Sequence, residues 1–500
     1  MLFIQKVKQW ADENRIAAID QSGDMMSFAQ LDQWSDSLAV FLHEEGTGPV
    51  AIWCDKENLA LAAMLACTKA GRAYVMMAIF YPPERVRQIL ESSGAKLILS
   101  LNETPMGEAD VPVISAEQIR SVIASHKIPE PDWCLKPDDL LYFVYTSGST
   151  NQPKCVGHTL GNMIANTLSH EPIFSFVGER PYKSLNFSPY AYEFSQEQVY
   201  FLLYRMGVTL LGVGRSLSVE YDRFLDVVYR TQPNLFFGTP SLMATFLANP
   251  DFSEKNLPDA KMFVLAGEVT TAVIAKKIFE RFPSARLFSD FGSSESMLAG
   301  ISEITPALAE QSELMPLGNP VTNIKWRVLD DELKPVLQGE TGRLAIYSGG
   351  VAKSYYDNPK LSAAVFLDDE NGHGMLTNDR VYLADNGYYY YAGRLDNVVK
   401  IGGYRVDLDE TERMLAKCPL IRRGAVAPSV KDGKVDSIVA FVVLEEGQSP
   451  SLRLIAQIKQ FLKSAALAEY MIPKKYVFMD SLPKNVNGKL DRKALRDYRG

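Results

Sequence analysis

Apolar residues in this chain follow two alternating patterns. Short continuous runs such as Val50-Ala51-Ile52-Trp53, Leu97-Ile98-Leu99-Ser100, Leu140-Leu141-Tyr142-Phe143-Val144-Tyr145 and Thr209-Leu210-Leu211 are rich in β-branched and aromatic side chains. Runs of that kind, ended by Gly, Ser or Pro, read as strands buried on both faces. Between them lie amphipathic or small-residue stretches of helical length, including Leu59 to Ala70, which stops at Gly71 where a helix C-cap belongs. The amino terminus opens on an amphipathic helix, followed by short strands around Ala17-Ala18-Ile19 and Met25 to Phe28 and a second helix from about Ala29. Strand and helix keep alternating through Asn234 to Pro240 and Phe263-Val264-Leu265, so the fold class is α/β with mostly parallel strands.

Gly339 to Ile346 begins a β-rich subdomain. The expected organisation is a large N-terminal domain, residues 1–395, made of α/β subdomains plus this β-rich one. A small α+β domain, residues 396–500, follows, with Val439 to Leu444 as a strand and Leu452 to Leu467 as a helix.

Composition narrows the function. Five hundred residues, 47% of them hydrophobic, can bury a large core in more than one domain. A net charge of -8 argues against general attraction to nucleic acid or an anionic membrane. The five cysteines are scattered and contain no Cys-x-x-Cys pair, which indicates neither a disulfide framework nor a zinc site and fits a reducing cytoplasm. No signal-peptide core or apolar span of membrane length is present, so a soluble cytoplasmic protein is expected.

The chemistry begins at Thr146-Ser147-Gly148-Ser149-Thr150-Asn151-Gln152-Pro153-Lys154, directly after the Leu140 strand. Backbone N–H groups and hydroxyls in such a loop donate to phosphate oxygens, and Lys154 adds positive charge. No Gly-Lys-Ser/Thr follows at the Walker A spacing, which excludes a P-loop NTPase. A Ser/Thr/Gly linker has the same composition, but the buried strand before it and the Pro-Lys after it favour the phosphate grip.

This loop resembles that of the AMP-forming adenylating superfamily, which contains acyl-CoA ligases and the adenylation domains of peptide synthetases. Further stretches match in the same order along nearly the whole chain. They are Lys69 to Val75, Tyr192-Glu193-Phe194-Ser195, Ala266-Gly267-Glu268, Asp290-Phe291-Gly292-Ser293-Ser294-Glu295, Thr377-Asn378-Asp379, Lys400 to Asp407 and Gly488-Lys489-Leu490-Asp491-Arg492. Asp251 to Ser253, Leu257 to Ala260 and Arg281 to Ala285 look closest to the branch of D-alanine-carrier protein ligases. Asn151, Cys155 and Asn378 stand where the family usually has glycine.

The resemblance implies ATP-dependent activation of a carboxylate, with ATP and Mg²⁺ as cofactors. Thr146, Ser147, Gly148, Ser149, Thr150 and Lys154 would hold the phosphates. Asp290, Phe291, Gly292 and Ser293 would face the adenine together with Gly267 and Glu268. Asp379 would take the ribose hydroxyls beside Arg394, and Glu295 would hold the metal. Lys489 would bridge carboxylate and α-phosphate, making Lys489, Glu295 and Thr146 the catalytic set. Asp396 matches a hinge, which implies that the small C-terminal domain is mobile and rotates between two steps, and Gly402 with Gly403 matches the passage for a pantetheine thiol. Lys69 to Val75 is read as purely structural.

Substrate choice rests on Glu193, where the amino-acid-activating relatives carry an aspartate that pairs with an α-ammonium. Tyr192, Ala266 and Gly292 would line the same acyl pocket. The alternative is a helix-start carboxylate facing the dipole and solvent. One residue more than in those relatives separates Glu193 from Gly207.

The expected function is adenylation of an amino acid or other small carboxylic acid, then transfer to the phosphopantetheine of a separate carrier protein. Arg422-Arg423 and Lys474-Lys475 are candidate docking charges or ordinary solvated ones. An acyl- or aryl-CoA ligase is the alternative function, and a non-catalytic nucleotide-binding relative the third.

Overall fold

The structure, a computed structural model, describes residues 2–146, 154–175, 181–214, 221–395, 397–431, 434–465, 467–483 and 490–498. Within it the chain forms two compact units. One comprises Met1–Ile79, Leu90–Tyr145 and Cys155–Gly393, the other Phe80–Ile89, Thr146–Lys154 and Arg394–Gly500. The expected division after Leu395 was contiguous. Two short internal segments instead group with the C-terminal residues.

The larger unit is built on three sheets. In the six-stranded sheet the order is Val113–Ser115, Leu97–Ser100, Val50–Cys54, Tyr74–Ala78, Leu140–Thr146 and Lys154–Thr159. Its first five strands pair in parallel. Val50–Cys54 and Tyr74–Ala78 are buried at every position, which is why they read as continuous apolar runs instead of alternating ones.

A nine-stranded sheet carries the parallel strands Met262–Ala266 and Arg286–Ser293 side by side, and then Met297–Ile304 antiparallel to the second of them. Its aromatic-rich core packs Phe236, Phe252, Phe263 and Phe282 together. The β-rich subdomain is a five-stranded sheet that includes Gly342–Tyr347, Gly372–Leu383 and Tyr389–Arg394.

The phosphate-loop candidate joins strand Leu140–Thr146 to strand Lys154–Thr159, and only then does helix Leu160–His170 begin, capped by a Thr159–Asn162 capping box. The order is strand, loop, strand, helix, unlike the direct strand-to-helix passage of a P-loop. Ser147 to Pro153 lie outside the described residues.

Helix Glu193–Glu197 runs directly into a π-helical segment, Gln198–Arg205. A π turn holds one more residue than an α turn, so it absorbs the extra residue counted between Glu193 and Gly207. The run ends at Gly207, φ +67°, whose missing Cβ leaves room for the Trp10 ring. Because the expansion starts after Glu197, the α-helical spacing from Glu193 to Glu197 is intact.

The stretch read as structural behaves so. Lys69 ends helix Asn58–Lys69 and is buried, with its ammonium 2.6 Å from both Asp32 and Asp36 of helix Phe28–Glu44. Gly71 follows with φ +71°, where a Cβ would strike the Trp133 carbonyl.

In the smaller unit, helices Leu408–Ala416 and Leu452–Ser464 cover the sheet Ile421–Lys431, Lys434–Leu444 and Lys475–Phe478, burying Leu415, Val426, Ile438, Ile458 and Leu462. Gly402 and Gly403 are the turn of a two-residue hairpin between Val398–Ile401 and Tyr404–Asp407, with φ +57° and +83°. Two positive φ values in such a turn demand residues of this type.

Removing Lys69 strands two partly buried carboxylates. Lys69→Ala is expected to cost about 3–5 kcal/mol, read as a lower urea midpoint, and an unchanged midpoint would show that the pair contributes little.

Candidate active site

Glu193 is the first residue of its helix, with Tyr192 as the half-buried N-cap residue. The helix-start geometry is therefore real, but solvent is not its partner, since the side chain is only 7% exposed. Its Oε1 accepts a short hydrogen bond from the Tyr142 hydroxyl, delivered by the strand Leu140–Thr146.

Its Oε2 lies 3.5 Å from His158 Nε2, yet that contact is not an ion pair. His158 Nε2 is 2.7 Å from the Ser294 carbonyl, which can only accept, so Nε2 carries the proton. Burial pushes the His158 pKa down to about 4, and the ring is neutral at neutral pH. Oε2 of Glu193 is buried and has no hydrogen-bond partner among the described residues.

A carboxylate without water or a counter-ion is costly, and burial above all pushes the Glu193 pKa up to about 8, with Glu295 adding to the effect. A cation arriving at Oε2 would remove that cost.

The other candidates of this unit stand on strands of the nine- and five-stranded sheets and the returns between them. Ala266, the last residue of its strand, stands beside Asp290 in the parallel register, and Gly267 follows at φ +82°. Glu268 accepts from the Ser241 backbone N–H at 3.0 Å and from its hydroxyl at 2.5 Å.

Asp290, Phe291, Gly292 and Ser293 finish their strand, with Asp290 and Phe291 buried. The Phe291 ring stands edge-on to Trp326 at 5.5 Å and belongs to a hydrophobic core cluster. At Gly292 a Cβ would collide with the Met297 carbonyl, so the tight return into Met297–Ile304 requires glycine.

Glu295 sits in that return, 1% exposed. Its Oε1 accepts from the Tyr355 hydroxyl at 2.7 Å, and its carbonyl from the Ala352 N–H at 2.9 Å. Asp379 is buried in strand Gly372–Leu383, where its N–H donates to Thr377 Oγ1 at 3.1 Å. Asn378 adopts no positive φ and its side chain accepts from Arg343 at 3.1 Å, so this position has no need of glycine. Cys155 is likewise an ordinary strand residue, its thiol pushed up to about 12 by burial.

In the smaller unit, Thr146 is buried and Lys154 half-buried. Arg394 closes strand Tyr389–Arg394. Ser147, Gly148, Ser149, Thr150, Asp396 and Lys489 lie outside the described residues. Their neighbours are tied together: Arg492 reaches Glu412 at 2.8 Å and Asp409 at 3.1 Å, and Asp409 also accepts from Asn397 at 2.9 Å. Arg422 and Arg423 are both exposed, which a register shift in their strand permits for adjacent residues.

For a metal, the donor set around Glu295 is one hard carboxylate, and no group of three or more His, Cys, Asp or Glu among the described residues forms a cage. That fits Mg²⁺, which keeps waters and shares phosphate oxygens, better than zinc.

Sequence reasoning missed Tyr142, His158, Tyr355 and Glu197. Only Glu197 had a signal, its spacing of four from Glu193.

The family model described as AMP-binding enzyme matches residues 5–356, and the one for its C-terminal domain matches residues 410–489. The chain belongs to the AMP-binding enzyme family. This family member is 30% identical to the D-alanine--D-alanyl carrier protein ligases of Listeria welshimeri, over 98% of each chain, and of Bacillus cytotoxicus, over 99% of each. Its fold is that of the amide bond synthetase McbA from Marinactinospora thermotolerans, with a TM-score of 0.83 at 20% identity over 99% of both chains.

A carboxyl whose pKa rises on folding binds more protons in the native than in the unfolded state between the two values, so stability falls as pH rises through that window. The ligand-free enzyme is therefore expected to lose thermal stability between about pH 4.5 and about pH 8. Glu193→Gln should shallow that slope, and an identical slope in both proteins would contradict the assignment.

Proposed function

We infer that this enzyme uses ATP to activate an amino acid as its acyl-adenylate and then loads it onto the phosphopantetheine thiol of a separate carrier protein. The observation that carries the amino-acid part is Glu193, a buried carboxylate whose Oε2, among the described residues, has a neutral imidazole as its one neighbour within ion-pair range. An α-ammonium supplies the missing charge, and a desolvated site makes that charge-assisted contact strong. Family membership and the carrier-protein ligases among its relatives support the rest.

In the first half-reaction a carboxylate oxygen of the substrate attacks the α-phosphorus of ATP. A P–O bond forms there as the bond to the departing pyrophosphate breaks. The protein supplies positioning and charge. Thr146, the loop Ser147 to Thr150 and Lys154 hold the phosphates, Asp379 and Arg394 the ribose side, and Asp290, Phe291, Gly292 and Ser293 with Gly267 and Glu268 the adenine side. Ala266 and Tyr192 border the acyl group.

Lys489 balances charge between carboxylate and α-phosphate. Mg²⁺ held by Glu295 would neutralise charge on the phosphates. In the second half-reaction the thiol sulfur attacks the acyl carbon and AMP leaves. Asp396 serves as the hinge between the two steps, and the Gly402-Gly403 turn offers backbone that a pantetheine arm can approach closely.

No helix among the described residues is long and apolar enough to cross a membrane. All five cysteines are free, in keeping with a cytoplasmic setting.

Amino-acid-dependent ATP–pyrophosphate exchange over L-, D- and β-amino acids, with desamino and aryl acids alongside, tests this function. Exchange with an amino acid but not its desamino analogue is expected, whereas exchange confined to amine-free acids would make the enzyme a CoA-ligase type. Lys489→Ala is expected to slow adenylation by about 10²–10³-fold, as loss of one preorganised charge contact does. A near-normal rate would remove Lys489 from the catalytic set.

A further inference from the structure

The helix that presents Glu193 carries a second carboxylate that amino-acid activation as such does not require. Glu197 is four residues on, and the intact α-helical spacing places the two side chains on one face, with Cβ atoms about 5–6 Å apart. The other polar side chains of that turn point elsewhere and are committed. Ser195 donates to Asn186 at 3.1 Å, while Gln196 donates to the Tyr190 carbonyl and accepts from Tyr74 at 2.5 Å.

Glu197 lies within the body of the unit, yet it keeps intermediate solvent accessibility. Its carboxylate is therefore not sealed into the core, and no ion-pair partner stands beside it among the described residues. The Leu298 N–H donates to its carboxylate, and Glu193 and Asp290 both add negative potential there, which together with burial raises its pKa well above the ordinary carboxylate range.

Two carboxylates at this helical spacing and out of water do not both ionise unless cations join them. Among the described residues Oε2 of Glu193 has no hydrogen-bond partner, and its one neighbour within ion-pair range, His158, is neutral. One α-ammonium satisfies Glu193 and leaves Glu197 without a counter-ion among the described residues.

We propose that the amino acid activated here carries a second cation on a short side chain, the α-ammonium pairing with Glu193 and the side-chain ammonium with Glu197. This rests on the amino-acid-activating function above and narrows its substrate to the diamino acids. The separation of the two carboxylates suits ammonium groups a few carbons apart, as in 2,4-diaminobutyrate or ornithine. Glu197 is then a specificity residue; it touches substrate at the end remote from the reacting carboxylate.

The test is ATP–pyrophosphate exchange by the full chain with both enantiomers of 2,4-diaminobutyrate, ornithine and lysine, each against the straight-chain neutral amino acid of matching length. A kcat/KM at least tenfold higher for a diamino acid than for its neutral match is expected. That ratio should fall at least tenfold in Glu197→Gln, mainly through KM. Thermal stabilisation of the unsubstituted enzyme by the same diamino acid, and not by its neutral match, gives a second readout should the variant fold poorly.

Exchange with neutral amino acids in preference to diamino ones overturns the second cation while leaving amino-acid activation standing. An equal loss for both classes in Glu197→Gln also overturns it. Silence with every amino acid, against exchange with amine-free acids, overturns both.

Discussion

Taking a carboxylate out of water costs several kcal/mol unless a cation or a full set of donors replaces the water. Glu193 has been given half of what it needs. Tyr142 donates to one oxygen, the other faces His158, and His158 has spent its single proton on the Ser294 carbonyl. The imidazole is too deeply buried to take up a second proton near neutral pH. The site is thus one charge short, and the three elements that build it have to be held rigidly for the shortfall to persist. They are the central strand Leu140–Thr146, the following strand Lys154–Thr159 with His158, and the return after Arg286–Ser293 with Ser294 and Glu295. A looser site would let water in and relieve the carboxylate.

The same elements also carry nucleotide candidates, so the carboxylates at Glu193 and Glu295 are coupled. Leu140–Thr146 leads into the candidate phosphate loop as it delivers Tyr142, and the return that offers the Ser294 carbonyl to His158 presents Glu295 one residue later. Glu295 in turn raises the Glu193 pKa. Charge placed on either carboxylate is therefore felt by the other, so a cation at one end favours the ionised state at both. Glu197 extends this row of carboxylates along its helix.

Much of this was legible in the sequence, for identifiable reasons. Strands buried on both faces leave continuous apolar runs, so the strands holding Val50, Leu97, Leu140 and Phe263 could be found by composition alone. The extra residue before Gly207 was countable, but its consequence was not. Only the structure shows it taken up as a π turn beyond Glu197. Residues that act by reaching across the fold were invisible. His158 lies 35 positions from Glu193 and Tyr355 lies 60 from Glu295, and no local pattern marks either. The grouping of Phe80–Ile89 and Thr146–Lys154 with the C-terminal residues also depends on long-range contacts that chain order does not encode.

The central claim is that Glu193 waits, protonated in the ligand-free enzyme near neutral pH, for a substrate ammonium that ionises it. Proton release on binding measures this directly. Calorimetric titration with a non-hydrolysable aminoacyl-adenylate analogue bearing a neutral side chain at pH 7, in buffers of different ionisation enthalpy, is predicted to show release of about one proton per site. Glu193→Gln and the desamino analogue should each abolish that release. Binding that releases no proton, or releases as much in Glu193→Gln, would contradict the assignment of Glu193 as the ammonium site.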